Sequence, residues 1–231
     1  MIRRALQLCF YDVLFQFRHG FYLIYLIVSL LYIIILLSTP DAQRLLVTNA
    51  LVFSDTSVLG LTFVGAIVLL EKQQSILHSL FVTPIQLGEY LLAKVISLTL
   101  LAILATMLIF VIPNGFAPLS GFYILGVMGG ASVFTLIGLG VGARVNSLNG
   151  YIFGIMAGTI IFTVPLLAYF GVYDSFWLYA LPTRATLMLL SSAHRSLSLG
   201  HVVYAMLNLL IWNSLAAIFA AKSFQKYILK G

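Results

Sequence analysis

Charge is what this sequence has least of. Only 8% of its 231 residues are Asp, Glu, Lys or Arg, against roughly 25% in a soluble domain, so it cannot clothe a water-facing surface of its own size. Its twelve basic residues are scattered along the chain, only Arg3 and Arg4 being adjacent, which argues against a nucleic-acid footprint. A lone cysteine, Cys9, excludes a disulfide framework and a cysteine-based metal site, and suits a small buried or lipid-facing position. Catalytic signatures are missing too. There is no G-x-x-x-x-G-K-[ST] loop to cradle phosphates, no H-E-x-x-H to hold zinc, no G-x-S-x-G elbow and no pair of intramembrane aspartates. His194 and His201 stand at a spacing that no standard metal motif uses.

Hydrophobic residues make up 62% of the chain. About 20 apolar residues are needed to cross a bilayer as a helix, and stretches near 21–38, 50–70, 94–112, 122–143, 150–170 and 202–221 meet that need. The composition predicts an all-α membrane protein with a single transmembrane domain over 1–231. Arg3 and Arg4 imitate the start of a signal peptide, but Gln7, Asp12 and Gln16 interrupt the run that follows. Instead Leu6, Phe10, Val13, Leu14 and Phe17 share one helical face and Asp12, Gln16 and His19 another. That pattern predicts an amphipathic helix over 3–19 lying in the interface, its apolar face in lipid or against the bundle.

Six spans place both termini on one side. With that side inside, nine basic residues (Arg3, Arg4, Arg18, Lys72, Lys94, Arg144, Lys222, Lys226 and Lys230) are cytoplasmic and three (Arg44, Arg184 and Arg195) are outside, the bias of an inside-facing N-terminus. No charge is expected near the middle of a span. Asp55, the nearest, is expected close to the outer interface, as a solvated span end or a helix N-cap. The aromatic-rich outer segment 171–201 reads as a short helix or re-entrant hairpin opened by Pro182, or as a plain loop.

Small residues four apart let helix backbones approach closely in lipid. Gly126, Gly130, Gly138 and Gly142 in the fourth span, and Gly150, Gly154 and Gly158 in the fifth, have that spacing; they serve packing within one subunit or a dimer face. Pro165, two residues after Thr163, is expected to bend the fifth span.

The most polar island is 71–94, E-K-Q-Q-S-I-L-H-S-L-F-V-T-P-I-Q-L-G-E-Y-L-L-A-K. On a helix, Ile76, Leu77, Leu80 and Phe81 form an apolar ridge, with Glu71, Ser75, His78 and Ser79 opposite. Pro84 stops the helix and Gly88 lets the chain return toward the next span. The pattern fits an element that docks a cytoplasmic partner, or an interfacial loop.

This island resembles the signature of type-2 ABC-transporter permeases, E-[KR]-x-x-G-[TS]-L-x-x-L-x-[VA]-[TS]-P followed by an acid and a lysine-containing span start. Glu71, Lys72, Leu77, Leu80, Val82, Thr83, Pro84, Glu89 and Lys94 match it. The likeness runs over essentially the whole chain. The runs F-R-H-G-F-Y and L-V-F-S-D-T-S-V-L-G are similar to those of small bacterial fluoroquinolone-export permeases. The haem-exporter B-type permeases of cytochrome c maturation are similar in length and pattern. Ser75 stands where that signature has glycine, and Gln73 and His78 where many relatives carry acids.

The resemblance implies a transport subunit, not an enzyme, in the bacterial inner membrane. It implies a dimer with itself or a related permease, and a separate ATPase that binds ATP and Mg, with no cofactor on this chain. Residues 71–84 would be the coupling helix seated in the ATPase, carried by Glu71, Lys72, Ser75, Ile76, Leu77, Leu80, Phe81, Val82, Thr83 and Pro84. A path for a small amphipathic or hydrophobic cargo would lie at the subunit interface, lined by the second and fifth spans, with Thr62, Phe63, Thr159 and Thr163 as candidates for contacting it. A stand-alone channel or ion-coupled carrier is the rival reading, opposed by the empty span centres; a lipid-modifying enzyme would need a polar constellation that the sequence does not supply.

Overall fold

The computed structural model describes residues 2–116 and 119–229, leaving out the side chains of Ile2, Arg3, Val58, Leu59 and His78. Among the described residues the chain is helical throughout, with short connections, as an all-α membrane protein requires. Helix α1 (Ile2–Arg18) meets α2 (Phe21–Leu37) at a 67° bend. Gly20 makes the bend with φ 76°, a left-handed conformation that suits glycine. Helices α3 (Asp41–Ser54) and α4 (Gly60–Gln73) continue one another through a π-helical turn at Asp55–Leu59. The short α5 (Ile76–Phe81) leads into α6 (Leu87–Asn114), α7 (Gly121–Arg144), α8 (Leu148–Thr163), α9 (Pro165–Tyr169), α10 (Pro182–Leu190) and α11 (Leu199–Phe224).

Five helices are long and apolar enough to cross a membrane: Asp41–Gln73, Leu87–Asn114, Gly121–Arg144, Leu148–Tyr169 and Leu199–Leu229. A sixth span exists if the bent pair α1–α2 counts as one. The second span therefore begins nine residues before the expected position 50. Pro40 fixes the entry and Asp41 pairs with Arg44 in the first turn, at 2.5 Å. The polar residues that follow are satisfied inside the protein: Thr48 donates to the Arg44 carbonyl (2.8 Å) and Asn49 to the Tyr169 hydroxyl (2.9 Å). Asp55 is consequently neither an N-cap nor a span end. It lies midway along a 33-residue helix and is fully buried.

Helix α7 is the hub, packed between α4, α6, α10 and α11. Its glycines make that possible. A Cβ on Gly138 would lie 2.2 Å from Val64, and one on Gly126 2.8 Å from Leu189. Gly130 abuts Thr186 and Gly142 abuts Val68. All four are consumed by packing within one chain, so the dimer face offered for them is corrected. In α8, Gly150 sits over Ser147, and Gly154 and Gly158 lie on a largely outward-facing helix.

The α-helix is interrupted at Val164, directly before Pro165, although α8 and α9 together make one candidate span from Leu148 to Tyr169. The nearby carbonyl of Phe162 accepts a 2.6 Å hydrogen bond from the Thr183 hydroxyl. Thr183 belongs to α10, which is buried along most of its length against α7 and α11. The outer segment is thus a helix sunk into the bundle, with a 3₁₀ turn at Phe176–Ala180 whose Ala180 carbonyl accepts from Trp212 Nε1 (2.7 Å).

Candidate functional site

Of the two placements expected for the apolar face of α1, the structure has the outward one. Ala5, Cys9, Asp12 and Gln16, spaced along one stripe, are the buried residues, while Leu6, Phe10, Leu14 and Phe17 project away from the protein; Phe10 is 67% exposed. The apolar face is free for lipid and the polar one packs on α6. The reason is a cation waiting there. Lys94 is 2% exposed, about two turns into α6, and its ammonium pairs with Asp12 of α1 and with Glu71 Oε1 of α4 (2.6 Å).

Two carboxylates against one ammonium leave a surplus negative charge, and neutral donors surround it. The Tyr90 hydroxyl donates to Glu71 Oε2 (2.7 Å), Gln16 Nε2 to Asp12 Oδ2 (2.8 Å), and the Ser97 hydroxyl to Asp12. Gln16 Nε2 also donates to Ser97 Oγ (3.0 Å). The rings of Phe15 and Tyr90 lie 5.8 and 5.6 Å from the ammonium. A buried charge persists only when paired and hydrogen-bonded, so this cluster fastens α1, α4 and α6 together. Lys72, next to Glu71, fastens a fourth helix: its ammonium donates to the carbonyls of Ala143 (2.8 Å) and Val145 (2.7 Å) at the C-terminus of α7, where a cation also suits the helix dipole.

Helix α5 lies beside this cluster. A cavity of about 160 Å³ between them is lined by Asp12, Phe15, Glu71, Ile76, Leu80 and Lys94. The apolar ridge expected to meet a partner faces inward: Leu77 belongs to the core, and Leu80 and Phe81 pack against it, with Phe81 edge-on to Tyr90 at 5.8 Å. The residues α5 and its exit present outward are Ser75, Ser79, Val82, Thr83 and Pro84, with Val82 83% exposed. Ile76 is half-buried and Gln73 exposed; the side chain of His78 lies outside the described residues. Arg4 donates to the Pro84 carbonyl (3.2 Å), tying α1 to the far end of the same element. Glu89 completes a capping box, accepting from the Gln86 amide (3.0 Å) at the start of α6.

Ser75 is the only described non-glycine residue with positive φ, at 55°. That geometry explains why the resembled signature places glycine there. A left-handed L-residue costs about 1–2 kcal/mol, so Ser75→Gly is expected to raise the stability of the solubilised protein by about 1 kcal/mol, read as an upward shift in thermal unfolding.

Of the four residues expected near the path, Thr62 and Phe63 stand on α4 and Thr159 and Thr163 on α8. Phe63 stacks on α2, 5.5 Å from Phe21 and 5.0 Å from Tyr25. Thr62 is half-buried on α4, and Thr159 and Thr163 donate to carbonyls of their own helix, Ile155 (3.0 Å) and Ile160 (2.9 Å). The contact between these spans runs through Tyr151, which donates to the Leu61 carbonyl and fills the space over Gly65.

At the opposite end, a cavity of about 460 Å³ is lined by Tyr169, Asp174, Arg184, His194, Arg195 and His201. Asn49 Nδ2 lies 3.2 Å from His194 Nδ1, and burial, then Arg195, holds that imidazole below its ordinary pKa. His201 is exposed and bonds Ser198 (2.8 Å). Among the described residues no group of three or more His, Cys, Asp or Glu could hold a metal.

An apolar multi-helix bundle with a fastened polar end is the architecture a permease needs, and comparison with known proteins agrees. Residues 2–231 match the fluoroquinolones export permease protein family. The chain belongs to that family. Among its relatives are the fluoroquinolones export permease proteins of two Mycobacterium tuberculosis strains, CDC 1551 and H37Rv. Each is 26% identical over 177 residues, covering 74% of this chain and 73% of the relative. The chain is thus a multi-pass membrane permease.

Proposed function

We propose that this permease is the membrane-spanning subunit of an ATP-driven exporter, moving a small amphipathic or hydrophobic compound of the drug class its relatives are named for. A separate cytoplasmic ATPase supplies the energy and binds ATP and Mg; two permeases, identical or related, complete the path. The basic-residue bias puts the α5 end and both termini in the cytoplasm of a bacterial inner-membrane protein.

The observation that carries this reading is the buried cluster of Asp12, Glu71 and Lys94 beneath α5. The cluster joins α1, α4 and α6 to one another directly beside α5, so that a displacement of α5 meets three helices that are already linked. The contact with the ATPase falls on the outward residues Ser75, Ser79, Val82, Thr83 and Pro84, while Leu77, Leu80 and Phe81 hold α5 to the bundle. Adding charge at the outward face tests this without disturbing the core. Ser79→Glu with Val82→Glu is expected to reduce co-purification of a co-expressed partner ATPase by more than about tenfold, since an uncompensated charge in an interface costs a few kcal/mol. Thermal unfolding of the permease itself should stay at the wild-type value. Normal co-purification would place the docking surface elsewhere.

A further inference from the structure

Asp55 lies outside the cluster above, and among the described residues no ion pair includes it. Its side chain is 0% exposed and neither carboxylate oxygen has a hydrogen-bond partner. It opens the π-helical turn Asp55–Leu59, about 20 Å along the helix from Asp41 at 1.5 Å per residue. π-Turns inside α-helices interrupt the regular ladder and are frequent at functional sites. The turn packs against α3, α4, α6 and α7.

Among the described residues no basic side chain pairs with Asp55. Between Gly20 and Pro40, between Val95 and Ala143, and between Val145 and Tyr173 the sequence contains no Lys, Arg, His, Asp or Glu. The titratable groups recorded around Asp55 are the phenols of Tyr25 and Tyr32 on α2, both within electrostatic range. An unpaired carboxylate at such a position costs several kcal/mol, and no described residue of this chain supplies its counter-charge.

The surroundings select the class of cation. A metal ion would need six or more oxygen ligands. The hydroxyls of Thr56 and Ser57 donate back along their own helix to the carbonyls of Val52 (2.7 Å) and Phe53 (2.6 Å), and among the described residues no group of three or more His, Cys, Asp or Glu gathers to hold a metal. Aromatic rings suit an organic ammonium, which the π-face attracts. We propose that Asp55 is the site at which an ammonium group of the cargo is recognised inside the membrane, its carboxyl holding a proton until that group replaces it. This rests on the reading of the chain as a carrier of small compounds.

The test needs neither the ATPase nor transport, so its failure is separable from failure of that reading. The full-length permease in membranes is treated with N,N′-dicyclohexylcarbodiimide. A protonated carboxyl adds across its N=C bond and rearranges to a stable N-acylurea with no leaving group; peptide mass spectrometry locates the adduct. Asp55 is expected to be modified. Tetrabutylammonium should suppress that labelling by about tenfold at about ten times its Kd, the fraction of sites left empty by mass action, whereas uncharged tributyl phosphate should not. Asp55→Asn should unfold at or above the wild-type temperature and lose the upward shift that tetrabutylammonium gives the wild type. Absence of the Asp55 adduct, labelling indifferent to the cation, or equal suppression by both compounds would overturn the proposal.

Discussion

Lys94→Met is expected to destabilise the solubilised permease by about 3–5 kcal/mol, the cost of leaving buried charges without their partner. The substitution keeps the volume and removes only the ammonium. Asp12 and Glu71, both almost fully buried, would then face each other across an empty position with only Tyr90, Ser97 and Gln16 as donors. The loss should be visible as a large downward shift in thermal unfolding. The sign reverses once the carboxylates go too. Asp12→Asn and Glu71→Gln added to Lys94→Met should restore most of the stability, because a neutral, hydrogen-bonded cluster has no desolvated charge to carry. If the triple variant were as unstable as the single one, the fastening would be steric and not ionic.

Gly138→Leu should cost at least as much, by a different mechanism. Even a Cβ at that position would lie 2.2 Å from Val64, 2.9 Å from the Tyr151 hydroxyl and 3.1 Å from the Leu61 carbonyl. Overpacking a close helix contact costs about 1–3 kcal/mol where neighbours can yield, and here the neighbours are backbone and a fully buried ring. Helix α4 would be wedged off α7, taking Tyr151 and its hydrogen bond to Leu61 with it. Thermal unfolding of Gly138→Leu against Gly121→Leu, whose position has open space, checks it: the first should fall by more than about 3 kcal/mol and the second should barely move.

Hydropathy alone made the spans and the short helix near 76–81 legible, since a 20-residue apolar run and a Thr-Pro stop leave little choice. The placement of polar residues was harder to read. Asp12 and Gln16 are four apart on one face of α1, and such a stripe at a membrane edge normally faces water. It faces inward because Lys94, with Ser97 three residues later on α6, offers a buried counter-charge 82 positions away. The lone lysine in the opening turns of an apolar span was the signal. For the same reason the ridge Leu77, Leu80 and Phe81 marked the inner side of α5, not its docking face: apolar periodicity identifies what is buried, but not against which partner. Asp55 was misplaced because polar residues at 41–49 argued against a span, whereas their partners, Tyr169 among them, lie far along the chain.

The most direct test of the ionic fastening as a force-bearing link is export per ATP hydrolysed in proteoliposomes. It compares the wild-type permease with the Asp12→Asn, Glu71→Gln, Lys94→Met variant, each reconstituted with its ATPase. Charge-assisted hydrogen bonds are about twice as strong as neutral ones, so a push delivered at α5 should open the neutral cluster before it tilts α4 and α6. The expected result is an ATPase that stays bound and hydrolyses ATP while export per ATP falls by about tenfold or more. Undiminished export from the charge-free variant would contradict the role assigned to Asp12, Glu71 and Lys94.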